Sequence, residues 1–221
     1  MVKNYNDILN LDSTIARGIF KECNYPWEVL PLIKQYILEL IPNLDSDYVE
    51  IGENVYAHKT SKVSKTACIV GPAIIGKNTE IRHSAYIRGS VIIGDNCVIG
   101  NSTEVKNSIL FNNVQCPHFN YVGDSIMGEY SHIGAGVILS NVKSDKTNVK
   151  VVSEGGIIET GLRKFGSIIG DRVEVGCNSV LCPGTVIYPN SIIYPLTRVR
   201  GVVEENTIMK DKDCKVKRKK I

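Results

Sequence analysis

Four histidines, His58, His83, His118 and His132, are the side chains in this sequence best suited to carry a proton near neutral pH. His118 stands apart from the others. It follows a proline in Cys116-Pro117-His118-Phe119-Asn120-Tyr121, next to a tyrosine that could touch a bound ligand, which makes it the candidate for general acid–base work. Arg88 and Lys106 are 18 residues apart. If the chain stacks them, two like charges in register form either a phosphate or nucleotide site or simply two splayed, hydrated side chains. A second basic cluster, Arg163-Lys164 within Thr160–Gly166, follows Ser144-Asp145-Lys146 in the same stretch, 140–167. It reads equally as a glycine-flanked anion loop or a flexible basic surface loop. His83 and His118 could approach each other only across a subunit boundary, and no third histidine joins them in the repeat frame described next, so no metal centre is expected.

The elements that must position these groups follow from one period. Every sixth residue from Ile51 to Phe111 is apolar, and Pro117 continues the frame as a poor substitute. Two positions earlier the residues are small or β-branched, as in Ala67, Ala73, Thr79, Ala85, Val91 and Cys97, and glycine often follows the aliphatic, as in Ile75-Gly76, Ile93-Gly94 and Ile99-Gly100. Period six fits neither an α-helix nor simple strand alternation. It fits short strands joined by sharp corners, three to an 18-residue coil, with aliphatics inside and glycine supplying positive φ at the turns. The frame slips between Pro117 and Met127, resumes through Ile133 and Leu139, leaves for an excursion over 140–167, and returns from Ile169 to Val199. An all-β solenoid, a parallel β-helix of about seven coils over 47–205, is therefore expected. Ligand-binding groups belong at its interruptions.

Before residue 47 the pattern turns helical. Asp12-Ser13 can cap a short helix, and Pro26 starts an apolar stripe through Trp27, Leu30, Ile33, Ile37 and Leu40. Residues 1–46 are expected as a short α-helical appendage that caps one end of the solenoid or packs on a neighbour. Hydrophobic content of 43% and charged content of 22% exclude disorder as the main state. No apolar stretch is long enough for a membrane span and the N-terminus lacks a signal-peptide core, so a cytoplasmic protein with reduced cysteines is expected. Residues 210–220 hold seven cations and two acids but no aromatic residue to stack bases. The segment 206–221 therefore reads as a solvated basic tail, with no nucleic-acid partner.

Three blocks carry a resemblance: Gly100-Asn101-Ser102-Thr103-Glu104-Val105-Lys106-Asn107, Pro117-His118-Phe119-Asn120-Tyr121-Val122-Gly123-Asp124, and His132-Ile133-Gly134-Ala135-Gly136. Together they resemble the C-terminal acetyltransferase half of bifunctional UDP-N-acetylglucosamine pyrophosphorylase/glucosamine-1-phosphate N-acetyltransferase. Thr160–Gly166 and Ile168-Ile169-Gly170-Asp171 are similar to the archaeal sugar-1-phosphate nucleotidylyltransferase/acetyltransferase branch. The resemblance implies a left-handed β-helix, against the usual right-handed crossover. It also implies a homotrimer with sites at subunit boundaries, acetyl-CoA as donor, and an amino-sugar phosphate or nucleotide sugar as acceptor. On the matching positions it implies His118 as general base, Tyr121 and Asn141 as sugar contacts, and Arg88 and Lys106 as phosphate-side cations. Arg163 and Lys164 match the basic pair of the archaeal-type loop. A backbone N–H beside Gly134-Ala135-Gly136 is the expected donor to the thioester oxygen.

His132 falls where bacterial relatives carry a substrate-touching asparagine, and Gly166 where they carry a sugar-phosphate lysine, with Lys164 the candidate replacement. The helical segment stands in place of a nucleotidyltransferase domain, so no nucleotidyl transfer is expected. The transfer itself needs neither a metal nor a covalent acyl-enzyme. Two other classes fit the same scaffold: a non-catalytic sugar-nucleotide-binding or assembly protein, and a γ-carbonic-anhydrase-like metalloenzyme.

Overall fold

The computed structural model describes residues 3–211 and 214–218. Short strands wind around three flat faces, and each strand pairs in parallel with its equivalent one coil away. Face 1 runs from Val55–His58 to Val202–Val203, face 2 from Lys62–Val63 to Thr207–Met209, and face 3 from Cys68–Ile69 to Arg198–Val199. The first two faces hold eight parallel strands each and the third holds seven. The stack thus exceeds the expected seven coils. Val203 and Met209 prolong it, four and ten residues after Val199, and so fall outside the six-residue frame. Among the described residues no helix is long and apolar enough to cross a membrane.

The interior is the aliphatic column the period predicts, but its register corrects the expected slip. Leu110, not Phe111, stacks on Ile93, and Cys116, not Pro117, stacks on Ile99. Two sides of the triangle have five residues, Val105 to Leu110 and Val122 to Met127, and they lie on successive coils. Phe111 is fully buried outside the prism, edge-on to Phe20 at 6.1 Å between ring centroids. The corner chemistry also differs from expectation. Positive φ is taken by Asn78, Ser84, Ser90, Asn96 and Ser102, whereas Gly76 and Gly94 are not in that region. These glycines permit close stacking instead: a Cβ on Gly76 would lie 2.5 Å from the carbonyl carbon of Gly94 in the next coil.

Face 1 is buried on both sides. Its outward residues Ile74, Ile92, Ile109, Ile126 and Ile168 are fully buried, and the strands read as continuous apolar triplets such as Val91–Ile93. The N-terminal segment covers this face along its length, where an end cap had been expected. It is mostly 3-10 turns with one short α-helix, α1 (Ile33–Leu40), because prolines and short apolar spacings interrupt longer helices. The solenoid's ends are instead closed by antiparallel pairing, Tyr48–Gly52 on Val55–His58 at one end and Lys215–Lys217 on Thr207–Met209 at the other. Part of the segment expected as a solvated tail is therefore strand.

Two anchors fasten the N-terminal segment. Trp27 stacks on Tyr25 at 4.6 Å and meets Phe165 at 5.7 Å, so it also holds the return of the excursion. Trp27→Ala should destabilise the protein by about 3–5 kcal/mol, read as a lowered denaturation midpoint, and should loosen Arg163 and Lys164 beside Phe165. The second anchor is polar. Asn10 donates through its backbone N–H to Asp171 Oδ2 at 2.8 Å and through Nδ2 to Glu129 Oε2 at 2.7 Å, while Asp171 Oδ1 accepts from the Glu129 N–H.

Burial, with a smaller push from the Glu129 charge, lifts the Asp171 carboxyl to about 6 against the lowering effect of those N–H donors. A raised folded-state pKa means that the native state binds the extra proton between about pH 4 and 6. This group's contribution is complete below its unfolded value and is lost as pH rises through about 6. Stability in wild type should accordingly gain up to about 3 kcal/mol from this group as pH falls from 7 to 4. Chemical denaturation at both pH values should show the slope shrinking in Asp171→Asn.

Candidate functional site

Five polar side chains converge at the edge where face 3 turns into face 1, on the two shortened sides. Asp124 is the hub. Its carboxylate accepts from Lys106 Nζ at 3.1 Å, Asn107 Nδ2 at 2.9 Å and Asn141 Nδ2, and its side chain is 6% exposed. Asn141 Nδ2 also reaches Tyr121 Oη at 3.2 Å. The Tyr121 ring lies across Gly123, where a Cβ would sit 2.6 Å from the hydroxyl, so glycine is required for the tyrosine to reach the cluster. Asn107 and Asp124 both adopt positive φ, at 45° and 47°, which turns their short polar side chains into the corner.

This arrangement changes the reading of the Arg88/Lys106 column. The two cations do stack, one coil apart, but each is paired with an anion of the protein itself. Arg88 Nη1 pairs with Glu104 Oε1 at 2.7 Å, and Lys106 pairs with Asp124. Glu104 stabilises the charged guanidinium of Arg88 further. Arg163 and Lys164 are exposed and have no hydrogen-bond or ion-pair partner among the described residues. The return of the excursion brings them to the same edge, because Phe165 N–H donates to Asn141 O at 3.0 Å and Gly166 N–H to Asp124 O at 2.8 Å. The middle of the excursion is an antiparallel hairpin, Lys150–Ser153 with Gly156–Glu159. It lies so close to the corner at Gly184, where φ is +80°, that a Cβ there would approach Lys150 O to 2.5 Å.

His118 occupies the opposite edge of face 3, where face 2 turns into it. The strand Gln115–His118 is longer than most because it continues pairing with Val98–Asn101 to its last residue. Gly100 makes that pairing possible, since a Cβ would fall 1.5 Å from Pro117 O. The His118 side chain is exposed and its imidazole has no hydrogen-bond partner among the described residues. Tyr121, three residues further along, lies between His118 and the Asp124 cluster.

One coil below His118 lie Gly134, Ala135 and Gly136. Gly134 N–H donates to Val175 O and Gly136 N–H to His118 O, leaving Ala135 N–H as the donor of the three with no backbone partner. His132 is not part of the Tyr121 cluster. It faces an open groove of about 870 Å³ on face 2, bonded to Glu174 Oε2 at 2.8 Å. The groove continues past Gln115, Tyr130, Arg172 and Arg218, with the Arg172 guanidinium 5.6 Å from the Tyr130 ring. The sequence reading had singled out only His132 there. Asn113, Tyr130, Arg172, Asn190 and Asn206, each at positive φ, mark the groove's corner ladder, and their spacing was the available signal.

Residues 69–203, more than half of the chain, match the GMPPB C-terminal domain family. The chain belongs to that family. A bifunctional sugar-1-phosphate nucleotidylyltransferase/acetyltransferase of Sulfurisphaera tokodaii is 38% identical over 79 residues, covering 36% of this chain and 20% of the relative. A protein described as bifunctional GlmU from Methanococcus maripaludis is 32% identical over 174 residues, covering 77% of this chain and 42% of its own length. The match thus spans less than half the length of these curated relatives. Among solved structures, a variant of the N-acyltransferase AntD from Bacillus cereus, in complex with dTDP and coenzyme A, aligns at a TM-score of 0.46. That alignment has 16% identity and covers 80% of this chain and 92% of that one. The resemblance noted from the three sequence blocks thus holds for the acetyltransferase half of these bifunctional proteins.

Proposed function

We propose that the protein transfers an acetyl group from acetyl-CoA to the amine of an amino-sugar phosphate or nucleotide sugar. The observation that carries this reading is the free imidazole of His118 at one edge of face 3, with the Tyr121–Asn141–Asp124–Lys106 cluster at the other. The curated relatives named as sugar-1-phosphate nucleotidylyltransferase/acetyltransferase support the reaction class. His118 takes a proton from the attacking amine, and the nitrogen forms a bond to the thioester carbonyl carbon. Negative charge develops on the carbonyl oxygen, to which Ala135 N–H, without a backbone partner among the described residues, would donate. The carbon–sulfur bond then breaks, and the proton held by His118 passes to the departing CoA sulfur.

Tyr121 and Asn141 would contact the sugar. Lys106, neutralised by Asp124, is better suited to hold that corner in shape than to meet a phosphate, and Arg163 and Lys164 are the cations left for one. The face 2 groove, beginning on the strand that ends in His118, suits the elongated arm of CoA, with Arg172, Arg218 and His132 along its wall. The assembly proposed is a homotrimer with its sites at subunit boundaries. The exposed Phe119 and Tyr130, at the corners flanking face 2, are the apolar groups such a boundary would cover.

The test is release of free CoA thiol from acetyl-CoA across a set of amino-sugar phosphates and nucleotide sugars, with the solution mass measured in parallel. Turnover with one of these acceptors is expected. Tight nucleotide-sugar binding with no acetyl-CoA binding and no thiol release would instead support a non-catalytic binding protein.

A further inference from the structure

Among the described residues two buried side-chain atoms have no hydrogen-bond partner, Ser167 Oγ and His58 Nε2, and only the second belongs to a metal-ligating group. His58 closes the strand Val55–His58 at the start of the solenoid and is 6% exposed, yet its Nε2 has no hydrogen-bond partner. The other ring nitrogen is occupied: Nδ1 accepts from the Thr60 N–H at 3.2 Å and lies 2.9 Å from Thr60 Oγ1. Thr60 Oγ1 is itself fixed by the N–H of Asn78 in the next coil at 2.9 Å. Tyr48 packs edge-on against the ring at 5.3 Å, so the imidazole has one orientation.

Nε2 points toward two carboxylates. The nearest oxygen, Asp47 Oδ2, is 3.9 Å away, and one ligand atom each from Asp45, Asp47 and His58 lie within 4.8 Å of one another. The antiparallel pair at this end enforces the meeting. Tyr48 is in register with His58, Lys59 N–H donates to Asp47 O at 2.8 Å, and Asp47 N–H donates to Asp45 Oδ1 at 2.9 Å.

Neither neutral tautomer satisfies this nitrogen. With the ring proton on Nδ1, donated to Thr60 Oγ1, Nε2 presents a lone pair to a carboxylate oxygen. With the proton on Nε2, the N–H points at an acceptor beyond hydrogen-bond reach. A cation between the imidazole and the carboxylates resolves the first arrangement. Bonds of about 2.0–2.2 Å to nitrogen and oxygen place neighbouring ligand atoms roughly 3–3.5 Å apart, and both aspartates are exposed and free to rotate the remaining distance. Lys59 Nζ, 3.2 Å from Asp47 Oδ1, is the competing cation, but it occupies the other oxygen and lies at the surface.

We propose that Asp45, Asp47 and His58 bind a divalent transition-metal ion of the Zn²⁺ or Mn²⁺ class. One imidazole, two carboxylates and no thiolate make a borderline-to-hard ligand set. Thr60 Oγ1, 2.9 Å from Nδ1, can accept the ring proton in the tautomer that leaves Nε2 free to ligate. The ion fastens the turn before Tyr48–Gly52 to the first coil, at the point where the N-terminal segment enters the solenoid. It takes no part in acyl transfer.

The test uses the full chain freed of metal by chelation and titrated with Co²⁺, followed by calorimetry, absorption and thermal melting. The expected result is one Co²⁺ per chain, a weak d–d spectrum without intense thiolate charge transfer, and a raised melting temperature. Asp47→Asn, a surface change that leaves the fold intact, should weaken binding by at least about tenfold, and His58→Gln should do the same. Uptake below about 0.1 ion per chain would overturn the proposal, leaving His58 to meet Asp47 as an imidazolium or through water. So would affinity unchanged in Asp47→Asn, or charge-transfer bands reporting ligation by the exposed Cys68 or Cys177.

Discussion

His118→Ala is expected to lower kcat by about 10²- to 10⁴-fold while leaving KM for acetyl-CoA and the melting temperature nearly unchanged. The size of the effect follows from the acceptor's chemistry. A protonated amine cannot attack a thioester, and a positioned imidazole is the side chain in this site suited to take that proton. The stability forecast follows from the geometry. The side chain is exposed, it makes no hydrogen bond within the described chain, and the strand pairing around it uses backbone atoms only. Steady-state kinetics and a melting curve on one preparation check both halves. A variant that turns over at the wild-type rate would remove His118 from the reaction.

The inward aliphatic frame was legible because a period of six leaves little freedom in where the chain must bend. Its faults lie where hydrophobicity cannot decide between neighbours. Leu110 and Phe111 are both apolar and both fully buried, one inside the prism and one against Phe20, so a one-residue shortening of that side left no mark in the pattern. The doublets Ile74-Ile75, Ile92-Ile93 and Ile168-Ile169 did carry a signal. An aliphatic in the outward position of strand after strand on face 1 requires a covering layer, and that layer is the N-terminal segment.

The site divides in the same way. His118 and Tyr121 were marked by a break in the repeat, whereas Asp124 was passed over, since an acid is not sought where an anionic ligand is expected. Eighteen residues on from Lys106 stands Asp124, which the shortened side puts at the corner just after Gly123, the residue in register with Lys106. His58 was weighed only against other histidines, and its carboxylate neighbours come from the preceding turn through antiparallel pairing that no hexapeptide frame contains.

Asp124→Ala should cost on the order of 3 kcal/mol in stability and raise KM for the sugar substrate by about tenfold, with a smaller effect on kcat. Asp124 accepts from three donors at once, and its removal leaves Lys106, whose side chain is 21% exposed, without its counter-charge in a corner that water reaches poorly. Breaking one partner of such a pair costs more than the pair contributed, because the remaining charge stays desolvated. Asn141 loses an acceptor at the same time, so the amide that orients the Tyr121 hydroxyl is freed to rotate. The substrate then pays the ordering cost on binding, which places the effect in KM. The double variant Asp124→Ala/Lys106→Met separates the two contributions. Removing both charges should restore much of the stability, since no unpaired cation remains, but it should not restore KM, since Asn141 and Tyr121 still lack their anchor. Recovery of both quantities together would show that Asp124 serves only to neutralise Lys106, and loss of kcat alone would place the carboxylate in contact with the reacting atoms.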